Sequence, residues 1–280
     1  MVYEKIDLYE YFGVARNADE QGVLHVYLPC MDEIGARIRP SMLVLPGGGY
    51  MFRSQREGEP IAIKFMSLGY CAFLLDYTIN RAYPTPLVEA AMAVAYIREN
   101  AEKYKLDGHV GAIGFSAGGH LTGMLATMFD DKAVVAALGK KSKLARPDAV
   151  VMSYPVVTTS VHTHAGSADT ISGGDKELAK QLSVENRVNK NSVPAFIWHT
   201  AEDDCVPVEN SLLLASAYRK AGVPFELHIF EKGWHGLSLI TPETCNMTDA
   251  DKSVAHVGRW IDLAAAWLTT RGFTVKFENA

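Results

Sequence analysis

The sequence predicts an α/β fold: a mostly parallel, doubly wound central sheet flanked by helices. Short apolar runs alternate with segments of helical periodicity from one end of the chain to the other, the order that builds βαβ units. Several of those runs, among them MLVLP and CAFLLDY, are apolar without alternation, as strands buried on both faces must be. The chain has 280 residues, 48% of them hydrophobic and 21% charged, enough to bury a sizeable core in one large domain over 1–280.

Taken in order, the expected strands are HVYLP at 25–29, MLVLP at 42–46, CAFLLDY at 71–77, VGAIGF at 110–115, AVVMSYP at 149–155, AFIWHT at 195–200 and FELHIF at 225–230. Helices are expected between them at 59–68, 87–104, 118–129 and 208–221, with a last one at 254–270. In the second, Val88, Ala91, Met92, Ala95, Ile97 and Tyr104 recur at roughly helical spacing. The fourth runs into Gly222-Val223-Pro224, where glycine caps a helix and proline prevents its continuation. The stretch 156–192 is irregular, with one expected helix at 175–182. A connection that long reads as a small cap or substrate-side insertion.

Composition excludes some function classes. The formal net charge is −5 and no Lys/Arg grouping suggests nucleic acid, so neither a nucleic acid nor a membrane surface is expected as partner. The opening segment MVYEKIDLYEYFGV has no basic region followed by an apolar one, so a cytoplasmic location is expected. The four cysteines, Cys30, Cys71, Cys205 and Cys245, are far apart and form no CxxC pair, and they read as reduced thiols. Cys71, within an apolar run, reads as a small buried hydrophobe.

The chemistry starts at GFSAGGH, residues 114–120. The pattern G-x-S-x-G marks a sharp strand-to-helix turn with an exposed serine at its apex. A serine hydroxyl is a weak nucleophile until a base takes its proton, an acid orients that base, and donors hold the oxyanion. Each requirement has a candidate just beyond an expected strand. WHTAEDDCVP offers Glu202, Asp203 and Asp204, and EKGWHGLSL offers His235 between glycines. GGGYMFRSQ follows MLVLP, so Gly48 and Gly49 can bring bare N–H groups to a developing charge, joined by Ala117, the residue after Ser116.

LPGGGY, GFSAGGH, WHTAEDDCVPVENS and HIFEKGWHGLSL together resemble the α/β-hydrolase fold esterases. The likeness is to the acetyl-xylan-esterase-like and feruloyl-esterase-like (BD-FAE-like) carbohydrate esterases and the hormone-sensitive-lipase-like carboxylesterases, and it runs from about His25 to Leu268. The resemblance implies a Ser116–His235–Asp203 triad, because the family's acid falls on Asp203 when Val206 and Pro207 keep the frame. Asp204 is one register step away. It also implies short acyl groups, with acetylated sugars or xylo-oligosaccharides as substrates, and no metal or organic cofactor. Two positions depart from the family pattern: Pro46 stands where the oxyanion loop begins with His, and Thr200 replaces a Gly.

Other readings are weighed at the same residues. Gly47–Gly49 lacks G-x-G-x-x-G spacing, so a dinucleotide turn is not expected. His162 and His164, followed by Asp169 and Asp175, lack a third ligand at metal spacing and read as a solvated loop. His120, His199, His228 and His256 read as structural or surface residues. Tyr50, Phe52 and Trp234 border the oxyanion loop and His235, and are candidates for an acyl or sugar pocket. Arg53 reads as one half of a surface ion pair. Amide hydrolysis on the same scaffold, as by a peptidase or arylformamidase, is one alternative. A non-enzymatic binding protein is another, and a homo-oligomer is compatible with the sequence.

Overall fold

The computed structural model describes residues 1–29 and 37–277. Cys30 lies outside them, and Cys71, Cys205 and Cys245 are free thiols. The strands are β1 (Val2–Asp7), β2 (Val23–Leu28), β3 (Arg37–Leu45), β4 (Cys71–Asp76), β5 (Leu106–Phe115), β6 (Ala149–Ser153), β7 (Ala195–Thr200), β8 (Phe225–Phe230) and β9 (Lys276–Phe277). The helices are α1 (Leu8–Phe12), α2 (Glu59–Ser67), α3 (Thr85–Glu99), α4 (Ala117–Met128), α5 (Lys132–Leu138), α6 (Ala165–Ser172), α7 (Lys176–Leu182), α8 (Glu209–Ala221), α9 (Asp249–Ser253) and α10 (Trp260–Thr270). No helix among the described residues is long and apolar enough to cross a membrane.

The main sheet runs β1-β2-β4-β3-β5-β6-β7-β8, and β9 pairs with the start of β3. From β4 through β8 every neighbour is parallel, whereas β1–β2 and β2–β4 are antiparallel. Alternate residues of one strand face opposite sides. Leu43 and Leu45 belong to the core layer on one face, which also holds Ala91 of α3, Leu121 of α4 and Leu214 of α8. Met42 and Val44 face the other way, into the layer that holds Ile61 and Phe65 of α2 and Trp260, Ala264 and Leu268 of α10. Helices on both faces explain why the central strands read as unbroken apolar runs.

Differences from the expected elements have local causes. Helix α3 ends at Glu99 rather than 104, where the Asn100 amide closes the last turn on Tyr96 O at 2.8 Å. The last helix starts at Trp260, and Thr248 with Asp251 forms a capping box that begins a separate α9. Strand β1, VYEKID, is unannounced because it is a largely exposed edge with no apolar run. The 156–192 stretch holds α6 as well as α7. Helix α6 is capped at its start by the His164 side chain, which accepts from Ser167 N, and it buries Ala168 and Ile171.

Candidate active site

The carboxyl ends of parallel strands are where α/β sheets assemble sites. Here β3, β5, β7 and β8 each hand over to a loop that reaches the same place. Ser116 sits between β5 and α4 with φ 53° and ψ −118°, a strained conformation for a residue with a side chain. The strain is held by backbone bonds: Ser116 N–H donates to Ser153 O, and Ser116 O accepts from His120 N and Val156 N, each at 3.0 Å. Close packing explains the flanking glycines. A Cβ on Gly118 would strike the carbonyl oxygens of Leu45 and Pro46, and one on Gly114 would strike Gly118 O.

His235 Nε2 lies 2.8 Å from Ser116 Oγ, and His235 Nδ1 lies 2.7 Å from Asp203 Oδ2. With Nδ1 donating to the carboxylate, Nε2 is left as acceptor toward the serine. The edge of the Tyr154 and His235 rings meet at 5.1 Å between centroids. Asp203 is fully buried at its side chain. Its Oδ1 accepts from Cys205 N at 3.0 Å and Val206 N at 2.8 Å, and His199 Nε2 stands 3.2 Å from Oδ2. Burial alone would raise the Asp203 carboxyl's pKa. The donors from His199, His235 and Val206 outweigh it and hold the group well below the usual carboxylate range. The neighbouring Asp204 and Glu202 are exposed, so of the three acids this loop offers, Asp203 is the one beside the imidazole.

The glycine loop shows which N–H groups are available. Gly47 N–H donates to Glu57 Oε2 at 2.9 Å. The N–H groups of Gly48, Gly49 and Ala117 have no protein acceptor among the described residues. Glu57, which nothing in the segment FRSQREGE singles out, is buried, and its Oε1 accepts from Tyr154 OH at 2.8 Å. Tyr154 OH accepts in turn from Ser238 N at 3.1 Å, joining the glycine loop to the histidine loop. At Pro46, where the resemblance expected a bracing His, Tyr77 OH donates to Pro46 O at 2.7 Å. At Thr200, Oγ1 donates to Gly233 O at 2.8 Å and ties the acid loop to the histidine loop.

A cleft of about 270 Å³ opens over Ser116, walled by Gly48, Gly49, Met51, Phe52, His164, Cys205 and His235 among others. Phe52 lines it and is exposed. Tyr50, expected at this pocket, is instead fully buried: its OH donates to His120 Nδ1 at 2.8 Å, and His120 Nε2 donates to Leu182 O at 2.9 Å. Its backbone, at φ 63°, turns the ring away from the loop's open side and into the core. Burial pushes the His120 pKa down to about 4, which suits an imidazole used as a neutral acceptor. Trp234 lines a neighbouring cavity rather than the serine cleft. His164 is at the cleft wall, not on a solvated loop, and burial followed by the nearby His235 lowers its pKa. No cluster of three metal-ligating side chains occurs among the described residues. Arg53 pairs with Asp76 at 3.1 Å.

The BD-FAE family model matches residues 24–218. Endo-1,4-beta-xylanase B of Butyrivibrio fibrisolvens is 45% identical over 215 residues, covering 73% of this chain and 33% of that protein. Acetylxylan esterase of Xylanibacter ruminicola is 30% identical over 229 residues, covering 78% of this chain and 44% of that protein. The chain therefore spans less than half the length of these curated relatives. The crystal structure of an acetyl ester-xyloside bifunctional hydrolase from Caldicellulosiruptor lactoaceticus aligns with a TM-score of 0.80 at 34% identity, over 96% of this chain and 97% of that one.

Proposed function

The chain belongs to the BD-FAE family and has the α/β-hydrolase fold, and from that premise we propose that it is a carboxylic ester hydrolase working through an acyl-enzyme on Ser116. The observation that carries the reading is the run from Asp203 through His235 to Ser116 Oγ, at 2.7 and 2.8 Å, beside three N–H groups with no protein acceptor.

Ser116 Oγ attacks the ester carbonyl while its proton passes to His235 Nε2. The carbonyl oxygen becomes an oxyanion held by the N–H groups of Gly48, Gly49 and Ala117, each such donor being worth about 2.7–4 kcal/mol in the transition state. Asp203 fixes the imidazole tautomer and stabilises the imidazolium. The C–O bond to the alcohol breaks as His235 returns the proton to the leaving oxygen. Water, deprotonated by the same nitrogen, then attacks the acyl carbon, and Ser116 leaves with that proton. No step calls for a metal or organic cofactor.

The acyl group is short and the alcohol is a sugar, so that the substrate is an acetylated sugar or xylo-oligosaccharide. Support comes from the small serine cleft and from relatives named acetylxylan esterase and acetyl ester-xyloside hydrolase. The segment 156–192 serves as the substrate-side wall through His164. The test is the hydrolysis of p-nitrophenyl acetate, butyrate and octanoate by wild type and Ser116→Ala. Rates that fall with chain length and vanish in the variant support the reading. Rates equal in the two proteins overturn it.

A further inference from the structure

On the sheet face covered by α2 and α10, the outer antiparallel strands carry an open groove. Cross-strand register sets Tyr3 opposite Tyr27 and His25 opposite Leu74, and the period of two puts Asp76 on the same face. Here the side chains are linked. Tyr3 OH donates to His25 Nδ1 at 2.6 Å, His25 Nε2 donates to Asp76 Oδ2 at 3.0 Å, and Arg53 Nε meets Asp76 Oδ1 at 3.1 Å. The chain of bonds holds the half-exposed Tyr3 ring in one orientation, 5.2 Å from the ring of Tyr27.

These residues floor a groove of about 780 Å³ that shares Phe52, Ser54 and Arg56 with the serine cleft. That volume is ligand-sized, within the range of roughly 300–1,000 Å³ typical of binding sites. Gln55, Glu59 and Glu243 also line it. Aromatic rings beside carboxylates, of which Asp76 is held by His25 and Arg53, suit a ligand with apolar C–H faces and a rim of hydroxyls. An acyl chain would strand the carboxylates, and for an anion the two arginines of the lining, Arg53 and Arg56, are outnumbered by Asp76, Glu59 and Glu243, with Arg53 already paired to Asp76.

We propose that this groove is the subsite for a neutral sugar chain on the alcohol side of the ester, with Tyr3 of β1 as its stacking platform. The proposal rests on the esterase reading for the position of the reacting carbonyl, but sugar binding here needs no chemistry at Ser116. Xylotriose, a deacetylated product, is titrated calorimetrically into Ser116→Ala and into the same protein with Tyr3→Ala. The ring's loss should weaken binding about tenfold, and Tyr3→Phe should recover most of it. With Ser116 intact, Tyr3→Ala should lower the kcat/KM ratio of acetylated xylotriose to p-nitrophenyl acetate by about the same factor. Glu243→Ala, a change at an exposed residue of the same lining, carries the same test if Tyr3→Ala misfolds. Xylotriose affinity that ignores both substitutions, or an unchanged ratio, overturns the subsite. Tyr3-dependent binding without any ester hydrolysis would overturn the esterase reading and leave the subsite standing.

Discussion

Replacing Asp203 by Asn tests the account at its most constrained atom. Oδ1 already accepts two backbone N–H groups, from Cys205 and Val206. The Asn oxygen is therefore drawn to that side, and its NH₂ takes the place of Oδ2. There it faces His235 Nδ1 at 2.7 Å and the His199 Nε2–H at 3.2 Å. A donor opposite Nδ1 forces the proton onto Nε2, the nitrogen that must accept from Ser116. In a serine triad the wrong tautomer costs about 10⁴-fold in kcat, or roughly 5.5 kcal/mol of transition-state stabilisation. The alternative rotamer saves the tautomer but opposes two buried N–H donors with an NH₂, which costs about 1–3 kcal/mol of stability for each. The assay is kcat on p-nitrophenyl acetate together with a urea midpoint, with Asp204→Asn as the exposed control. An Asp203→Asn protein that keeps more than about a tenth of wild-type kcat would refute this reasoning, as would an equal loss in Asp204→Asn.

Three further outcomes are expected. Glu57→Ala strands the Gly47 N–H and the Tyr154 hydroxyl inside the protein, so stability should fall by about 2–5 kcal/mol; kcat should fall with it as the glycine loop loosens, and urea melts and ester assays on the same preparation check both. Tyr50→Phe removes the donor to His120 Nδ1 and should cost about 1–3 kcal/mol of stability. Because the ring faces the core, KM should stay near the wild-type value, and a large rise in KM would return Tyr50 to the pocket. Glu89 is buried, and its carboxyl pKa is raised to about 7 by that burial, against the hydrogen bonds from Thr78 and Tyr9. The folded protein thus keeps a proton that the unfolded chain has already lost, so stability should decline as pH rises from about 4.5 to 7 and level off above. Urea midpoints at pH 5, 6, 7 and 8 read this slope, and a midpoint that climbs across the window would contradict it.

The parts of the fold legible in the sequence are those whose physics is local. Strands β3, β4, β6 and β7 announce themselves because burial on both faces leaves no room for polar alternation. Ser116, Asp203 and His235 stand out because each occupies a short motif just past a strand end. Strand β1 is hidden because only one side of it is partnered, and VYEKID reads equally well as a loop. Helix α6 is hidden by a composition of Ser, Gly and Asp; its cap is a histidine, and its reason to be helical is the burial of Ala168 and Ile171. Glu57 and His164 reach the site by tertiary packing, so spacing along the chain could not reveal them. Tyr50 is the converse case, next to the oxyanion loop in sequence yet turned into the core. Register alone left Asp203 and Asp204 one step apart, and only the difference in their burial and partners separates them.

The most direct test of the central claim is covalent labelling. The protein is treated with a fluorophosphonate, digested, and analysed by mass spectrometry while p-nitrophenyl acetate hydrolysis is followed in parallel. A single adduct on Ser116 is expected, formed in step with the loss of activity and absent from Ser116→Ala and His235→Ala. An adduct on another residue, or full activity with Ser116 occupied, would contradict it.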